Sequence, residues 1–405
     1  MIYAALLGFG VVGSGTGAVL TENAALIEKR VGQPVCIKYI LDLRDFPGTP
    51  WEDKIVHDLS VILNDPEVSV VAEMMGGAHP AYDYTRALLE AGKSVVTANK
   101  QVVATFGTEL LQVARTHGVS YLFEASVGGG IPIIRPLRED LAQNNLRAIS
   151  GILNGTTNYI LTEMETRGTP FAEVLQDAQR RGYAEADPTA DIEGLDAARK
   201  VVILAAMAFG KRLDPDSIPC EGITGITAAD AALARSMGGA IKLIGYTAKN
   251  SETGRVLAMV SPRFVPGGNP LATVSGVFNG ILVSGDMVGE VMFYGPGAGK
   301  LPTASAVVSD IIEATHADPT VAPIWTDAVA EDIWELGEYA CRSLVVFDAP
   351  SEAAEALAAH FGGAEALRTE AGRLSFVTPC LTERETAERI ATAGYPSITR
   401  LRVLD

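Results

Sequence analysis

The chain has 405 residues, of which 48% are hydrophobic and 20% charged, a balance typical of a globular protein with two or three domains. Its formal net charge of −17 argues against a general nucleic-acid partner, because phosphate binding requires clustered lysine and arginine. The uncharged first twenty residues lack the basic start of a signal peptide, and the apolar run 201–210 is about half as long as a membrane span. We therefore expect no membrane segment.

The four cysteines are far apart in the sequence and form no Cys-x-x-Cys pair. They are Cys36, Cys220, Cys341 and Cys380. This spacing argues against a disulfide framework or a zinc site and favours a reducing cytoplasm.

The first third of the chain alternates between short apolar runs and helix-like segments. Strands are predicted over 1–7, 35–41, 68–74, 94–97 and 119–125, and helices over 14–30, 82–91 and 107–117. Strands that alternate with helices in this way indicate a parallel, doubly wound α/β sheet.

The middle of the chain changes character after a glycine-rich break at 128–132. A long helix predicted over 193–209 is apolar all round in its second half and is therefore expected to be buried. With several shorter strand-like runs, this part indicates an α+β domain. Further predicted helices cover 133–141, 159–167, 171–181 and, after a second glycine-rich break, 303–314, and predicted strands cover 148–153, 256–260 and 281–283.

The last part of the chain, from about residue 335, follows the order βαββαβ. Strand-like runs cover 343–347, 364–368, 374–378 and 398–404, and helix-like runs cover 351–360 and 382–393. This order is that of the ferredoxin-like split unit.

The motif Gly8-x-Gly10-x-x-Gly13 stands between the first predicted strand and the first predicted helix. In this context glycines let the backbone approach a pyrophosphate, whose charge lies at the helix N-terminus. The motif predicts dinucleotide binding, and the alternative is a tight turn without a ligand.

Asp42 and Arg44, near the end of the second predicted strand, give opposite indications about the nucleotide. A carboxylate there would accept a hydrogen bond from the ribose 2′-hydroxyl of NAD, whereas a guanidinium would hold the 2′-phosphate of NADP. A solvated ion pair is the structural alternative, and the cofactor stays NADP or NAD.

Lys100 ends the run Thr97-Ala98-Asn99-Lys100 at the carboxyl edge of the predicted sheet, where ligands of such sheets bind. It could face a substrate or a nicotinamide, although most single lysines are simply exposed.

In the segment 124–132, Glu124 precedes a glycine-rich turn that offers oxygen atoms to a cation. From the residues alone, a hinge between domains is the preferred interpretation of that segment.

The segment 182–200 is rich in carboxylates and ends in Lys200, which leads into the apolar helix. Asp196 and Lys200 stand four residues apart and share a helix face. Desolvation lowers the pKa of such an amine and suits it to proton transfer, while nearby carboxylates could bind a substrate ammonium. From spacing alone, a surface ion pair is the simpler interpretation. The carboxylates are Glu185, Asp187, Asp191, Glu193 and Asp196.

Together these segments resemble the homoserine dehydrogenase family. Six motifs stand in the family's order: GFGVVG at 8–13, TANK at 97–100, EASVGGGIP at 124–132, NGTTNYIL at 154–161, GYAEADP at 182–188 with DAARK at 196–200, and YGPGAG at 294–299. One glycine motif is weak evidence, but six in order over roughly residues 1–318 are specific.

The resemblance implies three domains. A Rossmann-type nucleotide domain is expected at 1–132, completed by a returning segment at 296–325, and an α+β substrate and dimerisation domain at 133–295. The tail at 335–405 resembles a regulatory ACT domain, but its first turn, 347–351, lacks the glycine at which such domains bind an amino-acid effector. The tail could mediate feedback inhibition by threonine, or it could serve as a docking or dimer-forming module.

The resemblance also implies residue roles. Lys200 is expected to donate and accept the proton, with Lys100 assisting beside the nicotinamide. Homoserine is expected to be held by Glu185, Asp191 and Asp196. Nucleotide contacts are expected at Gly8, Phe9, Gly10, Val11, Val12, Gly13, Arg44, Thr97, Lys100, Gly182, Gly297 and Gly299. A monovalent cation, Na⁺ or K⁺, is expected at Glu124, Val127, Gly129 and Ile131, largely on backbone carbonyls.

The implied reaction is the NAD(P)-dependent interconversion of L-aspartate 4-semialdehyde and L-homoserine, in threonine and methionine biosynthesis. The enzyme is expected to be a cytoplasmic homo-oligomer, at least a dimer, and monofunctional, since no aspartate kinase domain precedes residue 1. One alternative is another amino-acid dehydrogenase; aspartate-semialdehyde dehydrogenase would need a nucleophilic cysteine. The other is a non-catalytic sensor of a nucleotide and an amino acid, which the intact Lys100, Glu185, Asp196 and Lys200 disfavour.

Overall fold

The computed structural model describes residues 1–316, 323–370 and 372–405 of the chain. Their contacts divide the chain into two compact units. The first unit comprises Met1–Leu146, Arg199–Ser217 and Gly285–Ala328, and the second comprises Arg147–Ala198, Ile218–Ser284 and Val329–Asp405. Among the residues described, no helix is both long and apolar enough to cross a membrane.

The strands, in chain order, are β1 (Ile2–Leu7), β2 (Val35–Leu41), β3 (Ile55–Val56), β4 (Val68–Glu73), β5 (Ser94–Thr97), β6 (Tyr121–Leu122), β7 (Leu146–Ile152), β8 (Lys211–Arg212), β9 (Gly239–Lys249), β10 (Val256–Pro266), β11 (Phe278–Gly285), β12 (Gly289–Pro296), β13 (Thr326–Asp327), β14 (Ala340–Cys341), β15 (Ser343–Asp348), β16 (Glu365–Glu370), β17 (Arg373–Val377), β18 (Leu381–Thr382) and β19 (Ser397–Val403). The helices are α1 (Val11–Glu22), α2 (Ala24–Val31), α3 (Leu59–Leu63), α4 (Ala81–Glu90), α5 (Lys100–Thr116), α6 (Ile134–Arg138), α7 (Gly155–Arg167), α8 (Phe171–Arg180), α9 (Thr189–Ile192), α10 (Leu195–Phe209), α11 (Ala228–Ser236), α12 (Lys300–Ala314), α13 (Ala354–His360) and α14 (Glu383–Thr392).

The first unit is built on a parallel sheet with the strand order β3-β2-β1-β4-β5-β6. The continuous apolar sequence of β1 suits a strand that is covered on both faces, and its residues from Ala4 to Leu7 are fully buried. The order reverses between β1 and β4, and ligands of such sheets bind beyond the carboxyl ends of the strands at this reversal. The predicted Rossmann-type α/β fold is confirmed.

Helix α12 packs against α1, far away in the chain. A Cβ atom on Gly15 would lie 2.8 Å from the carbonyl oxygen of Lys300 and 3.1 Å from the side chain of Ala304, so a glycine is needed for this close approach. The apolar face of α12 shares the core of the first unit through Val307 and Ile311. The predicted domain boundaries stay a prediction, and residues 317–322 of the predicted returning segment 296–325 lie outside the described residues.

In the second unit, strands form a sheet in the order β11-β7-β9-β10-β19-β15-β17-β16. The long antiparallel ladder between β9 and β10 is almost entirely buried. Strand β19 joins β10 in parallel, with Arg402 opposite Arg263, and the backbone N–H of Leu404 donates to the carbonyl of Phe264 at 2.9 Å. The C-terminal segment therefore continues the sheet of the middle segment.

The C-terminal segment has the predicted βαββαβ order, from β15 to β19. Its main strands are antiparallel in the spatial order β19-β15-β17-β16, around a core that includes Phe347, Phe361 and Phe376. The ferredoxin-like arrangement is confirmed. Residue 371 lies outside the described residues, and the regulatory, ACT-like role stays a prediction.

Some predicted element boundaries were wrong, for local reasons. The helix predicted over 14–30 is broken at Asn23, a residue type that competes with helical hydrogen bonds and favours helix ends. The helix predicted over 107–117 begins at Lys100, because Asn99 caps it through the backbone N–H of Val102. The strand predicted over 119–125 shrinks to β6, since the chain turns into a short 3-10 helix at Glu124–Ser126. Sequence patterns also missed β9, β12 and α11, and β10 and β11 are longer than predicted.

Candidate active site

The glycine motif forms the turn between β1 and α1 at the carboxyl edge of the sheet. Gly8 has a φ of +85°, and a Cβ atom on Gly13 would lie 2.1 Å from the carbonyl oxygen of Gly8, so neither position accepts a side chain without a backbone change. An added Cβ atom on Gly10, the N-cap of α1, would meet nothing within 4 Å among the residues described. The open N-terminus of this helix suits a pyrophosphate.

Asp42 follows β2 and bridges the glycine turn and Arg44. Its Oδ2 accepts a hydrogen bond from the backbone N–H of Phe9 at 2.7 Å, and its Oδ1 accepts from the backbone N–H and from Nε of Arg44, each at 3.0 Å. Partial burial favours the neutral acid, but the hydrogen bonds from Arg44 and Phe9 outweigh it and lower the pKa of Asp42 to about 2. The structure thus brings both candidate ribose partners to one point beside the turn.

Glu73 ends β4, the other strand at the reversal, and is not among the site residues expected from the sequence. Its carboxylate is fully buried: Oε1 accepts from the backbone N–H of Met75 at 2.7 Å, and Oε2 accepts from the hydroxyl of Thr97 at 2.6 Å. Burial raises the pKa of Glu73 to about 7, although both hydrogen bonds oppose the rise. A glutamate inside an apolar strand was the available signal, because buried carboxylates are rare unless they are paired.

Asn99 extends this network and starts the helix that begins with Lys100. Its backbone N–H donates to the Thr97 hydroxyl oxygen at 2.9 Å, and its Nδ2 donates to the carbonyls of Gly77 at 2.8 Å and Met75 at 3.3 Å. Lys100 is therefore the first residue of a helix whose start is tied to the ends of β4 and β5. The half-buried Lys100 lies at the predicted ligand edge of the sheet.

Glu124 binds the start of α6 through its carboxylate. Its Oε1 accepts from the backbone N–H groups of Ile133 at 2.6 Å and Ile134 at 2.8 Å, and its Oε2 accepts from that of Arg135 at 2.7 Å. The backbone N–H of Glu124 in turn donates to Oδ2 of Asp310 at 2.8 Å. Burial raises the pKa of Asp310 well above its ordinary value, and the nearby Glu124 acts in the same direction. This segment is a buried part of the first unit, and its interpretation as a hinge between domains stays a prediction.

The predicted cation loop after Glu124 lies against the turn at 296–299. A Cβ atom on Gly129 would lie 2.3 Å from the carbonyl oxygen of Gly297, and the backbone N–H of Gly130 donates to the carbonyl of Pro296 at 3.1 Å. The loop includes three buried residues whose carbonyls accept no hydrogen bond from any residue that the structure describes, namely Val127, Gly129 and Ile131. The described residues contain no cluster of three or more His, Cys, Asp or Glu side chains that could hold a metal ion.

Two of the predicted substrate residues, Asp191 and Asp196, are brought together in the second unit by Asn154. Nδ2 of Asn154 donates to Oδ1 of Asp191 at 2.7 Å and to Oδ2 of Asp196 at 3.0 Å. Asn154 is also the N-cap of α7, because its Oδ1 accepts from the backbone N–H of Thr157 at 2.9 Å. Asn154 opens the motif NGTTNYIL, and no role was expected for it from the sequence.

Gly182 and Glu185 lie in an exposed turn that precedes α9. The turn is held beside the start of α7, since the Thr156 hydroxyl donates to the carbonyl of Tyr183 at 2.6 Å. Gly182 has a φ of +75°, which only glycine adopts readily. The backbone carbonyl of Glu185 accepts a hydrogen bond from Nε2 of Gln179 at 3.1 Å.

Lys200 lies in α10 and is 8% exposed. The residues that follow it, Val201 to Ala205, have no exposed surface, as the apolar pattern predicted. Lys200 is thus an amine at the start of a buried helical segment that belongs to the first unit.

The strand order and the open glycine turn at its reversal are those of a Rossmann-type dinucleotide-binding protein. Comparison of the chain with known protein families identifies which dinucleotide-binding family it resembles. Residues 8–124 match the family model of the homoserine dehydrogenase NAD-binding domain, and residues 132–312 match the homoserine dehydrogenase model. A homoserine dehydrogenase of Synechocystis sp. is 46% identical over 312 residues, which cover 76% of this chain and 72% of that relative. One of Bacillus subtilis is 42% identical over 314 residues, covering 76% and 71%.

The chain belongs to the homoserine dehydrogenase family. It is an NAD(P)-dependent oxidoreductase that interconverts L-aspartate 4-semialdehyde and L-homoserine.

Solved homoserine dehydrogenases share the fold. The enzyme from Thiobacillus denitrificans superimposes with a TM-score of 0.90 at 34% identity, over 100% of this chain and 98% of that one. The Staphylococcus aureus enzyme at pH 6.5 gives 0.82 at 33% identity, over 100% and 99%. A hyperthermophilic archaeal mutant in complex with NADPH gives 0.66 at 28% identity, over 78% and 97%. The first two likenesses extend over the C-terminal segment.

Proposed function

We propose that Lys200 is the proton donor and acceptor of this homoserine dehydrogenase, that Lys100 assists it, and that Asp191 and Asp196, with Glu185, hold the substrate's amino group. The observation that carries this proposal is the pairing of Asp191 and Asp196 on one amide. Two adjacent carboxylates form a favourable site for an ammonium group.

The nicotinamide supplies or removes the hydride when it is bound. In the direction of reduction, the Lys200 ammonium gives a proton to the aldehyde oxygen, and Lys100 stabilises the negative charge that develops there. In the direction of oxidation, neutral Lys200 takes the hydroxyl proton of homoserine. The carboxylates hold the amino group and thereby orient the reacting carbon.

We infer that the nucleotide lies on the turn from Gly8 to Gly13, with Phe9, Val11 and Val12 beside it. Val11 is 67% exposed at the open end of α1. Asp42 can accept from the 2′-hydroxyl of NAD, and Arg44, which has 62% of its side chain exposed, can bind the 2′-phosphate of NADP. The archaeal relative solved with NADPH supports use of the phosphorylated nucleotide. The further proposed contacts are Thr97, Lys100, Gly182, Gly297 and Gly299.

We also propose a monovalent cation, Na⁺ or K⁺, at the loop that includes Val127, Gly129 and Ile131. Buried carbonyls normally have a partner, and a cation would supply one for all three. The Glu124 carboxylate already accepts three backbone N–H groups, so its contribution would be its charge or its own carbonyl. The bound ion would stabilise the loop against the turn at 296–299.

For the C-terminal segment we propose a structural role instead of binding of threonine. Its first turn has no glycine, and Ala349 in that turn is buried, with its backbone N–H donating to the carbonyl of Gly372 at 3.1 Å. The backbone N–H of Asp348 donates to the carbonyl of Pro396 at 2.9 Å. These two backbone N–H groups of the turn therefore already have hydrogen-bond partners and are not available to an effector.

We propose a homodimer, at least, with β12 and its neighbouring turn in the interface. Met287, Val288 and Tyr294 are exposed there by 82%, 40% and 57%, and exposed apolar residues close together are typical of interfaces. Location in the cytoplasm stays a prediction from the cysteine spacing.

The test is an assay of the purified protein with L-homoserine and either NAD or NADP, in buffer with Na⁺ or K⁺, followed at the absorbance of the reduced nicotinamide. We expect homoserine-dependent reduction of at least one nucleotide and no inhibition by threonine. Folded protein that reduces neither nucleotide would contradict the catalytic assignment. Inhibition by threonine at concentrations well below that of homoserine would contradict the structural role of the C-terminal segment.

A further inference from the structure

The side-chain amide of Asn154 has a fixed orientation in the second unit. Its oxygen accepts from the backbone N–H of Thr157 at 2.9 Å and from the Thr157 hydroxyl at 3.2 Å, so its nitrogen must face the opposite way. The nitrogen carries two hydrogens and donates to one carboxylate with each, Asp191 and Asp196. Asn154 is 7% exposed and Asp196 is 8% exposed, so water screens these two groups only slightly, whereas Asp191 is half-buried.

Two carboxylates this close repel each other, and the repulsion grows as water is excluded. A neutral amide that donates to both offsets part of this repulsion without neutralising either charge. Lysine or arginine at the same place would pair with the carboxylates and compete with a cationic substrate. An asparagine therefore suits a pair of aspartates that are to be held close together as carboxylates.

We propose that Asn154 is a positioning residue that sets Asp191 and Asp196 at the distance and orientation needed to bind the ammonium of the amino-acid substrate. This inference rests on the proposed substrate-binding roles of the two aspartates. It assigns to Asn154 the selection of substrates that carry an amino group, whereas Lys200 acts at the other, reacting end of the molecule.

A purely structural role for Asn154, capping of α7, is the alternative. Asn158, one turn further along α7, shows how a structural asparagine is used: its Nδ2 donates to the backbone carbonyls of Val274 at 3.3 Å and Phe278 at 3.0 Å. Asn154 instead donates to two side chains that lie 37 and 42 residues away. Capping explains the orientation of the amide but not why two carboxylates converge on its nitrogen.

The experiment uses Asn154→Ser and Asn154→Asp in the full-length enzyme. Serine and aspartate are both good N-caps, so α7 is retained, but serine is too short to reach the carboxylates and aspartate cannot donate to them. We expect the KM for homoserine to rise at least about tenfold in each, with the KM for the nucleotide within about twofold of the wild-type value. Thr227→Ala, which removes the cap of α11 in the same unit, measures the effect of a lost cap and should leave both KM values unchanged.

A double-mutant cycle separates positioning from simple structural support. If Asn154 acts through the carboxylates, the double variant Asn154→Ser/Asp196→Asn should have nearly the same KM for homoserine as Asp196→Asn alone. Equal effects of Asn154→Ser with and without Asp196→Asn, or an unchanged KM in both folded Asn154 variants, would overturn the inference. If Asp191→Asn and Asp196→Asn themselves leave the KM for homoserine unchanged, the proposed substrate site is wrong, and the inference about Asn154 is overturned with it.

Discussion

Arg44 and Asp42 form a two-point ion pair beside the glycine turn. Nε of Arg44 lies 3.0 Å from Oδ1 of Asp42, and its Nη2 lies 3.1 Å from Oδ2. The same carboxylate accepts from the backbone N–H of Phe9 inside the nucleotide turn. On the proposed nucleotide site, we expect cofactor choice to depend on whether Asp42 accepts from a ribose hydroxyl or Arg44 binds a ribose phosphate.

We expect Arg44→Ala to raise the KM for NADP by about tenfold or more and to leave the KM for NAD within about twofold, because only the 2′-phosphate needs the guanidinium. Steady-state kinetics with each nucleotide at saturating homoserine measure this. Arg86→Ala, which removes an exposed arginine of α4 paired with Glu90, is the charge-matched control. Equal changes for both nucleotides in Arg44→Ala would contradict the assignment.

Lys200→Ala should lower kcat by about 10²–10⁴-fold with little change in the KM for the nucleotide, because proton transfer is lost and nucleotide binding is retained. Lys200→Arg should be similarly impaired in homoserine oxidation, since a guanidinium does not give up its proton. Single-turnover and steady-state rates of both variants measure this, with the exposed Lys249→Ala as control. An unchanged turnover in Lys200→Ala would remove Lys200 from the reaction.

Glu73 should make stability depend on pH. Burial raises its pKa from 4.5 to about 7, so the folded protein keeps a proton that the unfolded chain loses as the pH rises between these values. The contribution to stability is complete below pH 4.5 and is lost as the pH rises to about 7. A difference of this size corresponds to about 3 kcal/mol in the free energy of unfolding.

Glu73→Gln cannot ionise, so the Tm of the wild-type protein relative to this variant should fall between pH 5 and pH 8. Thermal unfolding in a pH series measures the difference, and the exposed Glu90→Gln serves as the control for loss of a surface carboxylate. A difference in Tm that is constant across this range would show that Glu73 is not the titrating group.

Replacing Na⁺ and K⁺ with tetramethylammonium at constant ionic strength should lower kcat/KM by about tenfold and lower the Tm. The large ion cannot enter a buried loop, so the carbonyls of Val127, Gly129 and Ile131 would lose a partner. Assays and thermal unfolding in the three salts measure this. Identical activity and Tm in all three would contradict the proposed cation.

Local sequence determined a large part of this protein. The apolar strands, the glycine turn after β1 and the order of elements in the C-terminal segment follow from burial patterns and backbone freedom, which depend on neighbouring residues. The resemblance to homoserine dehydrogenases likewise rested on short motifs. Capping residues such as Asn99 and Asn154 could have placed the starts of α5 and α7 more accurately, because a cap acts within three residues of itself.

Only the tertiary structure decided which distant groups share a hydrogen bond. Glu73 is an isolated glutamate in the sequence, and it becomes a buried link to Thr97 because β4 and β5 are adjacent in the sheet. The single amide of Asn154 gathers Asp191 and Asp196 because α7, α9 and α10 meet there. Contacts between residues that are far apart in the sequence cannot be read from local sequence patterns. They arise from how whole helices and strands pack against each other.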